Sequence, residues 1–214
     1  MKLTDLLCAY GRSVTAQRLE ALLAEVDGVR SGEDIEHVHR MRVASRRLRS
    51  ALRIFGECFK GRKAKRWRKA VKRITTSLGE ARDLDVQIEL LEGMAKDWQG
   101  EEAVGLALIV EMLRCRRTSL QPGVAALMDE LVGDGALQEM RSQLAGPEEP
   151  KDDLSSLHPY AFAHASVAVD ELMEHSHSVP IYEDWRGHHA LRIAGKHLRY
   201  ALEAFRDAYE DGLE

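Results

Sequence analysis

The stretch His39-Arg40-Met41-Arg42-Val43-Ala44-Ser45-Arg46-Arg47-Leu48-Arg49-Ser50-Ala51-Leu52-Arg53-Ile54-Phe55 separates into two stripes when it is drawn as a helix. The basic stripe lies within an arc of about 60°, has His39 at its edge, and contains Arg42, Arg46, Arg49 and Arg53. The apolar stripe lies roughly 150° away and contains Met41, Ala44, Leu48, Ala51, Leu52 and Phe55. A helix that packs one side and presents cations on the other is predicted to face an anion.

Positive charge is concentrated around this helix. Residues 40–73 contain 15 Lys or Arg and a single acid, Glu57, so the segment carries +14. Since the whole chain has a net charge of −4, the remaining residues carry −18. This asymmetry predicts a polyanion-binding face on an otherwise acidic protein. The alternative is a basic helix surface that is merely solvated.

The same pattern returns near the end of the chain. Residues 189–205 align without a gap on residues 39–55 at an offset of 150, with 8 of 17 positions identical. The identical pairs include His39 and His189, Arg42 and Arg192, and Arg49 and Arg199, whereas Lys196 replaces Arg46. The offset predicts an internal duplication, with two helical halves packed about a pseudo-twofold axis so that their basic stripes face each other.

Composition favours helices throughout the 214 residues, because Ala, Leu, Glu and Arg dominate and only five Pro occur. We predict an all-α protein of two pseudo-symmetric helical bundles. It would form a single domain over 1–214, with an N-terminal half 1–145, a linker 146–153 and a C-terminal half 154–214. Helices are expected at about 5–29, 33–59, 61–94, 101–118, 122–144 and 159–175, and from Asp184 onward.

The third of these helices has an apolar register and a basic side. We expect its buried side to hold Ala64, Trp67, Val71, Ile74 and Leu78. Its basic side presents further candidate ligands for an anion, namely Lys65, Lys69, Lys72 and Arg73. Arg82 follows in the apolar register, where an unpaired charge is expensive. It either pairs with Asp85, three residues along the helix, or lines an internal anion site.

The residue types favour a phosphate polymer as the anion. Arg presents a fork that matches two phosphate oxygens and Lys a point charge, whereas nucleic acid usually also needs exposed aromatic rings. Trp67 lies in the apolar register, and Tyr200 is the only aromatic residue beside a basic residue in the repeated motif. Nucleic-acid backbone binding is therefore the alternative hypothesis. The histidines His39 and His189 fit phosphate donors better than metal ligands, because neighbouring histidines do not share a helix face.

Catalysis has little support in the sequence. Phosphoryl transfer needs metal-holding carboxylates near the cations, and the basic helices carry almost none. No Gly-rich phosphate loop is present. We predict a binding module with no catalytic residues, no metal and no cofactor, and keep a metal-dependent phosphohydrolase as a weaker alternative.

Three cysteines, Cys8, Cys58 and Cys115, form an odd set without metal-type spacing. We expect reduced thiols and a cytoplasmic protein, since the N-terminus lacks a signal-peptide pattern. The longest apolar run, 103–110, is far shorter than the ~20 residues of a membrane helix, so no membrane partner is expected.

Three motifs in order resemble those of the CHAD domain, an α-helical domain named for its histidines. They are His39-x-x-Arg42-Val43-x-x-Arg46-Arg47-Leu48-Arg49, Leu78-Gly79-Glu80-Ala81-Arg82-Asp83-Leu84-Asp85-Val86, and His189-x-x-Arg192-Ile193-x-x-Lys196-x-Leu198-Arg199-Tyr200. The resemblance implies two helical bundles around a basic pore or groove that binds inorganic polyphosphate without hydrolysing it, and association with polyphosphate granules. It implies ligand contacts from His39, Arg42, Arg46, Arg49, Arg82, His189, Arg192, Lys196 and Arg199, with Arg82 lining the site.

Two departures from the family pattern affect the second half. His197 stands where another basic residue is usual, and Glu203 occupies the position equivalent to Arg53, so the second stripe is thinner. Family members usually continue beyond the point that corresponds to Glu214, so the second bundle is expected to be incomplete. The last helix is then a candidate interface for a homo-oligomer.

Overall fold

A computed structural model describes residues 2–146 and 154–209 of the chain. These residues form helices and turns and no strand, which confirms the all-α prediction. The linker predicted at 146–153 lies, apart from Gly146, outside the described residues, and the internal duplication stays a prediction. The nine α-helices among the described residues are α1 (Leu3–Leu23), α2 (Val26–Ser31), α3 (Ile35–Ile54), α4 (Gly61–Ser77), α5 (Gly79–Ala95), α6 (Glu101–Gly133), α7 (Ala136–Leu144), α8 (His158–Glu174) and α9 (Trp185–Phe205).

The chain divides into two compact units, each assembled from separate segments. The α4–α7 unit comprises Arg18–Arg46 and Arg62–Gln143. The α8–α9 unit comprises Met1–Gln17, Arg47–Gly61 and Leu144–Glu214. Helices α1 and α3 each contribute residues to both units, because the boundaries fall after Gln17 and after Arg46. The predicted sequence halves 1–145 and 154–214 stay a prediction.

The core of the α4–α7 unit follows the predicted apolar register of α4. Ala64, Trp67, Val71, Ile74 and Leu78 are all buried, as expected from their spacing of three and four residues. Burial of one large apolar side chain stabilises the fold by about 1.5–3 kcal/mol. The register therefore fixes which side of α4 is left to carry exposed lysines.

The helix predicted over 61–94 is two helices, and the break falls at Leu78. Just before it, the hydroxyls of Thr75 and Thr76 donate to the carbonyls of Val71 and Lys72, four residues back. Such bonds compete with the helical ladder and bend it. The break places the carbonyl of Thr75 in the last turn of α4, where an outside donor can reach it.

Two other boundaries differ from the sequence-based expectation. The predicted first helix 5–29 is interrupted at Ala24 and Glu25, so that α2 is separate. The predicted helix start at Pro122 is wrong, because Pro122 lies inside the 33-residue helix α6. Buried residues on both sides of the proline, Arg117 and Val124, hold the helix in place across it. Tertiary packing here overrides the local effect of proline.

A buried polar chain links α5, α6 and α2. Asp85 is 2% exposed and its Oδ1 accepts from Arg117 Nε at 2.7 Å. Arg117 Nη1 donates to Gln121 Oε1 at 3.1 Å, and Gln121 Nε2 donates to the carbonyls of Val29 and Arg30 at the end of α2. Helix α2 then ends at Gly32, whose φ of +70° is a left-handed conformation that suits glycine. Burial raises the pKa of the Asp85 carboxyl, and Arg117 opposes that shift.

The core of the α8–α9 unit is built on aromatic rings. Phe55 lies edge-on to Tyr10 and Phe205, with ring centroids 5.9 and 5.4 Å apart. Tyr10 also stacks on Phe205, and its hydroxyl donates to the carbonyl of Ala204 at 3.0 Å. Phe55 also packs directly against Gly11, where an added Cβ would lie 2.6 Å from the Phe55 ring, so the packing leaves no room for a larger residue. These contacts connect α1, the end of α3 and α9.

The prediction that all three cysteines are free thiols is wrong. Cys8 and Cys58 form a disulfide, with Cα atoms 5.2 Å apart, whereas Cys115 is free and exposed. The disulfide joins α1 to the turn after α3. Because the two cysteines are 50 residues apart in sequence, only the helix packing brings them together.

We expect Arg117→Met to lower the free energy of unfolding by about 3–5 kcal/mol at pH 7, because it leaves the Asp85 carboxylate buried without its cation. In this variant the pKa of Asp85 in the folded state would lie even further above its value in the unfolded state. The folded state would then take up a proton on Asp85 as the pH falls from 7 toward 5, and the loss in free energy of unfolding would become smaller. Urea unfolding at both pH values measures this. The double variant Asp85→Asn/Arg117→Met should recover part of the loss in stability. A loss below about 1 kcal/mol in Arg117→Met alone would contradict the view that Arg117 compensates the buried carboxylate.

Reduction of the disulfide should lower the thermal midpoint of unfolding. A cross-link that closes a loop of 50 residues stabilises by at most about 4 kcal/mol in the chain-entropy model. Circular dichroism melting with and without a phosphine reductant measures the change, and the double variant Cys8→Ser/Cys58→Ser should match the reduced protein. Cys115→Ser, which leaves the disulfide intact, is the control, and a midpoint insensitive to reductant would contradict the prediction.

Candidate functional site

The predicted anion ligands fall in both compact units. The α4–α7 unit holds His39, Arg42, Arg46, Lys65, Lys69, Lys72, Arg73 and Arg82, and the α8–α9 unit holds Arg49, Arg53, His189, Arg192, Lys196 and Arg199.

Helix α3 carries its predicted stripes as the sequence spacing implies. Met41, Leu48 and Leu52 are fully buried on the apolar side. On the basic side Arg42 and Arg46 are partly buried, and Arg49 and Arg53 are exposed. The buried side thus fixes the direction in which the arginines project.

The arginines of α3 differ in whether an acid neutralises them. Arg40, which lies off the basic stripe, donates to Glu25 at 3.0 Å. Arg47, also off the stripe, holds both carboxylate oxygens of Glu203, at 2.8 and 3.0 Å. Among the described residues, no acid forms an ion pair with an arginine of the stripe, namely Arg42, Arg46, Arg49 or Arg53. Acids neutralise α3 where it packs and leave the stripe charged.

Arg42 is fixed against the break between α4 and α5. Its Nη1 donates to the Thr75 carbonyl at 3.0 Å, and a Cβ at Gly79 would lie only 3.3 Å from that nitrogen. Burial lowers the pKa of the Arg42 guanidinium, the positive charges of Arg46 and Arg82 lower it further, and Asp83 opposes the shift. The Arg42 guanidinium is therefore repelled by Arg82 beyond the helix break and by Arg46 one turn along α3.

Arg82 points inward, as its register predicts, with 16% of its side chain exposed. The pair with Asp85 is not formed, because Asp85 binds Arg117. The acid nearest to Arg82 is Glu36, whose Oε1 lies 3.7 Å from Nη1. This Nη1 atom is buried without a hydrogen-bond partner among the described residues. A buried cationic N–H group without an acceptor is costly and is well suited to bind an anion.

The predicted ligands on α4 fall into two groups. Lys65, Lys69 and Lys72 are exposed, and the described residues offer them no ion pair. Arg73 is instead held by both carboxylate oxygens of Glu130 on α6, and this contact lowers the pKa of Glu130. Of the four residues, Arg73 is thus the one already bound to an acid.

The basic stripe of α9 begins one turn after a helix cap. Asp184 accepts from the backbone amide of Gly187 at 2.9 Å, which fixes the start of the helix. Beyond the cap His189, Arg192 and Arg199 are exposed and Lys196 is partly buried. The Arg199 guanidinium lies over the Tyr200 ring, 5.1 Å from its centroid, and 3.6 Å from Glu203.

Sequence reasoning missed the contact between Arg47 and Glu203. It treated Arg47 only as part of a motif, and Glu203 only as a departure from the repeat. The one available signal was the offset of 150 residues, which aligns Glu203 with Arg53 and thus puts an acid in the register of the α9 stripe.

The aromatic side chains considered for nucleic-acid stacking are packed inside the protein. Trp67 is 4% exposed and Tyr200 is 7% exposed. Among the described residues, no three His, Cys, Asp or Glu side chains come together in a way that could hold a metal ion. The described helices include none that is long and apolar enough to cross a bilayer.

Comparison with known proteins agrees with the helical architecture. The structure of PptA from Streptomyces chartreusis superimposes with a TM-score of 0.60 at 18% sequence identity, covering 99% of this chain and 76% of that chain. No protein of curated function matches the chain in sequence. The model of the CHAD domain family matches residues 13–214. Because this match spans most of the chain, the protein belongs to the CHAD domain family.

Proposed function

We propose that this protein binds inorganic polyphosphate without hydrolysing it, along the basic stripe of α3 together with Arg82, the α4 lysines and the basic stripe of α9. One observation carries the proposal. The arginines of α3 that lie off the stripe are neutralised by Glu25 and Glu203, whereas those on the stripe form no ion pair with an acid among the described residues.

The spacing of the stripe suits a repeating anion. Side chains three and four residues apart project about 5–6 Å from one another on a helix, so Arg42, Arg46, Arg49 and Arg53 offer a row of guanidinium forks. Each fork can hold two oxygens of one phosphate. Membership of the CHAD family supports the same ligand, since the first motif of the resemblance contains Arg42, Arg46 and Arg49.

Arg82 and Arg42 extend this ligand set below the surface. A phosphate placed near them would provide the acceptor that Arg82 Nη1 lacks and would relieve the repulsion that lowers the Arg42 pKa. Burial also strengthens charge–charge attraction, because screening by water and salt is weaker there. We therefore expect this pair to contribute more per contact than the exposed lysines.

Nucleic acid is the less favoured ligand. The burial of Trp67 and Tyr200 removes the two aromatic rings that the sequence offered for base stacking, although Tyr182 and Trp185 near the start of α9 are exposed. Phosphate contacts also remain open to a nucleic-acid backbone. A phosphohydrolase would need carboxylates that hold a metal, and a phosphate-release assay with Mg²⁺ or Mn²⁺ tests that alternative directly.

The location and assembly of the protein stay predictions. We expect a cytoplasmic protein associated with polyphosphate granules, and a homo-oligomer that forms through the last helix. The disulfide between Cys8 and Cys58 counts against the cytoplasm, because thiols are normally kept reduced there.

The double variant Arg49→Gln/Arg53→Gln tests the proposal with little risk to the fold, since both side chains are exposed. We expect its Kd for long-chain polyphosphate to rise roughly tenfold to hundredfold, because each charged hydrogen bond contributes about 1 kcal/mol or more. The slope of log K against log salt should become shallower by about 1.4, at about 0.7 per lost phosphate contact. Fluorescence anisotropy over a salt series measures both quantities.

The matched control is Arg114→Gln/Arg116→Gln, which makes the same change in net charge at exposed arginines paired with Glu92 and Glu80. Its Kd should stay within about twofold of the wild-type value. Equal losses of affinity in the two double variants would show that overall charge alone explains the effect, and would contradict the proposal. Binding to RNA of equal charge that is as tight as binding to polyphosphate would favour the nucleic-acid alternative instead.

A further inference from the structure

An acid occupies the next position of the α9 basic stripe. The stripe proceeds from His189 through Arg192, Lys196 and Arg199 in steps of three and four residues, and a further step of four reaches Glu203. Glu203 is also the single acid in the sequence of α9. Four residues after Arg199, its carboxylate lies one turn along the same helix face.

This carboxylate is bound as a phosphate group would be bound. Arg47 Nε and Nη2 donate to its two oxygens at 2.8 and 3.0 Å, a bidentate contact of the kind that arginine also makes with phosphate. Arg199 Nε lies 3.6 Å from Oε1. The Glu203 side chain is 23% exposed, so the ion pair is partly shielded from solvent.

The contact stabilises the charged pair in the free protein. Hydrogen bonding to Glu203 raises the pKa of the Arg47 guanidinium against the effect of burial. By contrast, Arg192 on the same helix has no ion pair with any described residue. In the stripe of α9, Arg192 is therefore open to a ligand, whereas Arg199 lies beside the Glu203 carboxylate that Arg47 also binds.

We propose that Glu203 limits the affinity for polyphosphate by standing in for one phosphate of the polymer, so that Arg47 and Arg199 are withheld from the ligand. The inference rests on the proposed function. A polymer lying along α9 must either end its contacts before Arg199 or displace the carboxylate, and the negative charge of Glu203 repels the phosphates next to it. Removal of this charge adds two guanidinium groups to the surface that the polymer can contact.

Glu203→Gln is the test, because glutamine keeps the shape of the side chain and can still accept a hydrogen bond from Arg47. We expect its Kd for long-chain polyphosphate to fall about tenfold at low salt, with a salt slope steeper by about 1.4 for two added phosphate contacts. Glu171→Gln is the matched control, since Glu171 pairs with His197 of the same unit and the change in charge is equal. Its Kd should stay within about twofold of the wild-type value.

A double-mutant cycle separates this role from a structural one. Arg47→Gln alone should change the Kd by less than about twofold, because Arg47 is withheld in the wild-type protein. When Arg47→Gln is added to Glu203→Gln, it should remove about half of the gain in log affinity that Glu203→Gln produces. Arg47→Gln also tests the inference if Glu203→Gln does not fold, and a tenfold loss from it alone would show that Arg47 already contacts the polymer.

The outcomes distinguish this inference from the proposed function. If the wild-type protein binds polyphosphate and Glu203→Gln binds it no more tightly, Glu203 does not limit affinity, whereas the proposed function stands. Equal gains from Glu203→Gln and Glu171→Gln would also overturn the inference, because charge alone would explain them. If neither the wild-type protein nor Glu203→Gln binds polyphosphate, the proposed function itself is wrong.

Discussion

The folded protein must hold neighbouring guanidinium groups of like charge close together, and this repulsion costs free energy that other contacts must offset. Burial has the largest effect in lowering the pKa of Arg42, Arg46 and Arg82 both lower it further, and Asp83 raises it. The opposite side of α3 supplies the compensating free energy, since Met41 and Leu48 are fully buried there and each contributes about 1.5–3 kcal/mol. The apolar stripe thus makes it possible to hold like charges together in the absence of a ligand.

The distribution of acids around these helices follows the packing of the molecule. Glu25 and Glu203 each bind an arginine of α3 in a partly buried contact, where a charge without a partner would be partly desolvated. Exposed cations on the stripes need no such partner, because water screens them. Stability therefore accounts for the paired arginines, and it gives no reason for four unpaired arginines to share one face of α3.

Much of this arrangement could be predicted from spacing alone. Helical periodicity identified the buried side of α4 from Ala64 to Leu78, the inward direction of Arg82 and the two sides of α3, because side-chain direction in a helix depends only on local geometry. The pairs Asp85–Arg117 and Arg47–Glu203 and the disulfide Cys8–Cys58 could not be predicted, since each joins residues at least 32 positions apart. Such contacts depend on how helices pack, which one sequence does not specify. The continuous helix through Pro122 was missed for the same reason.

The unpaired stripe is not explained by a shortage of acids, because the chain contains 35 Asp and Glu against 31 Lys and Arg. A folded state that retains this repulsion is less stable than it would be with an acid at each arginine. A polyanion that binds only the folded state supplies the missing negative charge and stabilises that state through linkage. The affinity for the polyanion and the stability of the bound protein then have the same origin. A carboxylate of the protein on the same helix face stabilises the free folded state but lowers the affinity for the polyanion. Under the proposed function, Glu203 marks the point on α9 where this balance favours the stability of the free protein.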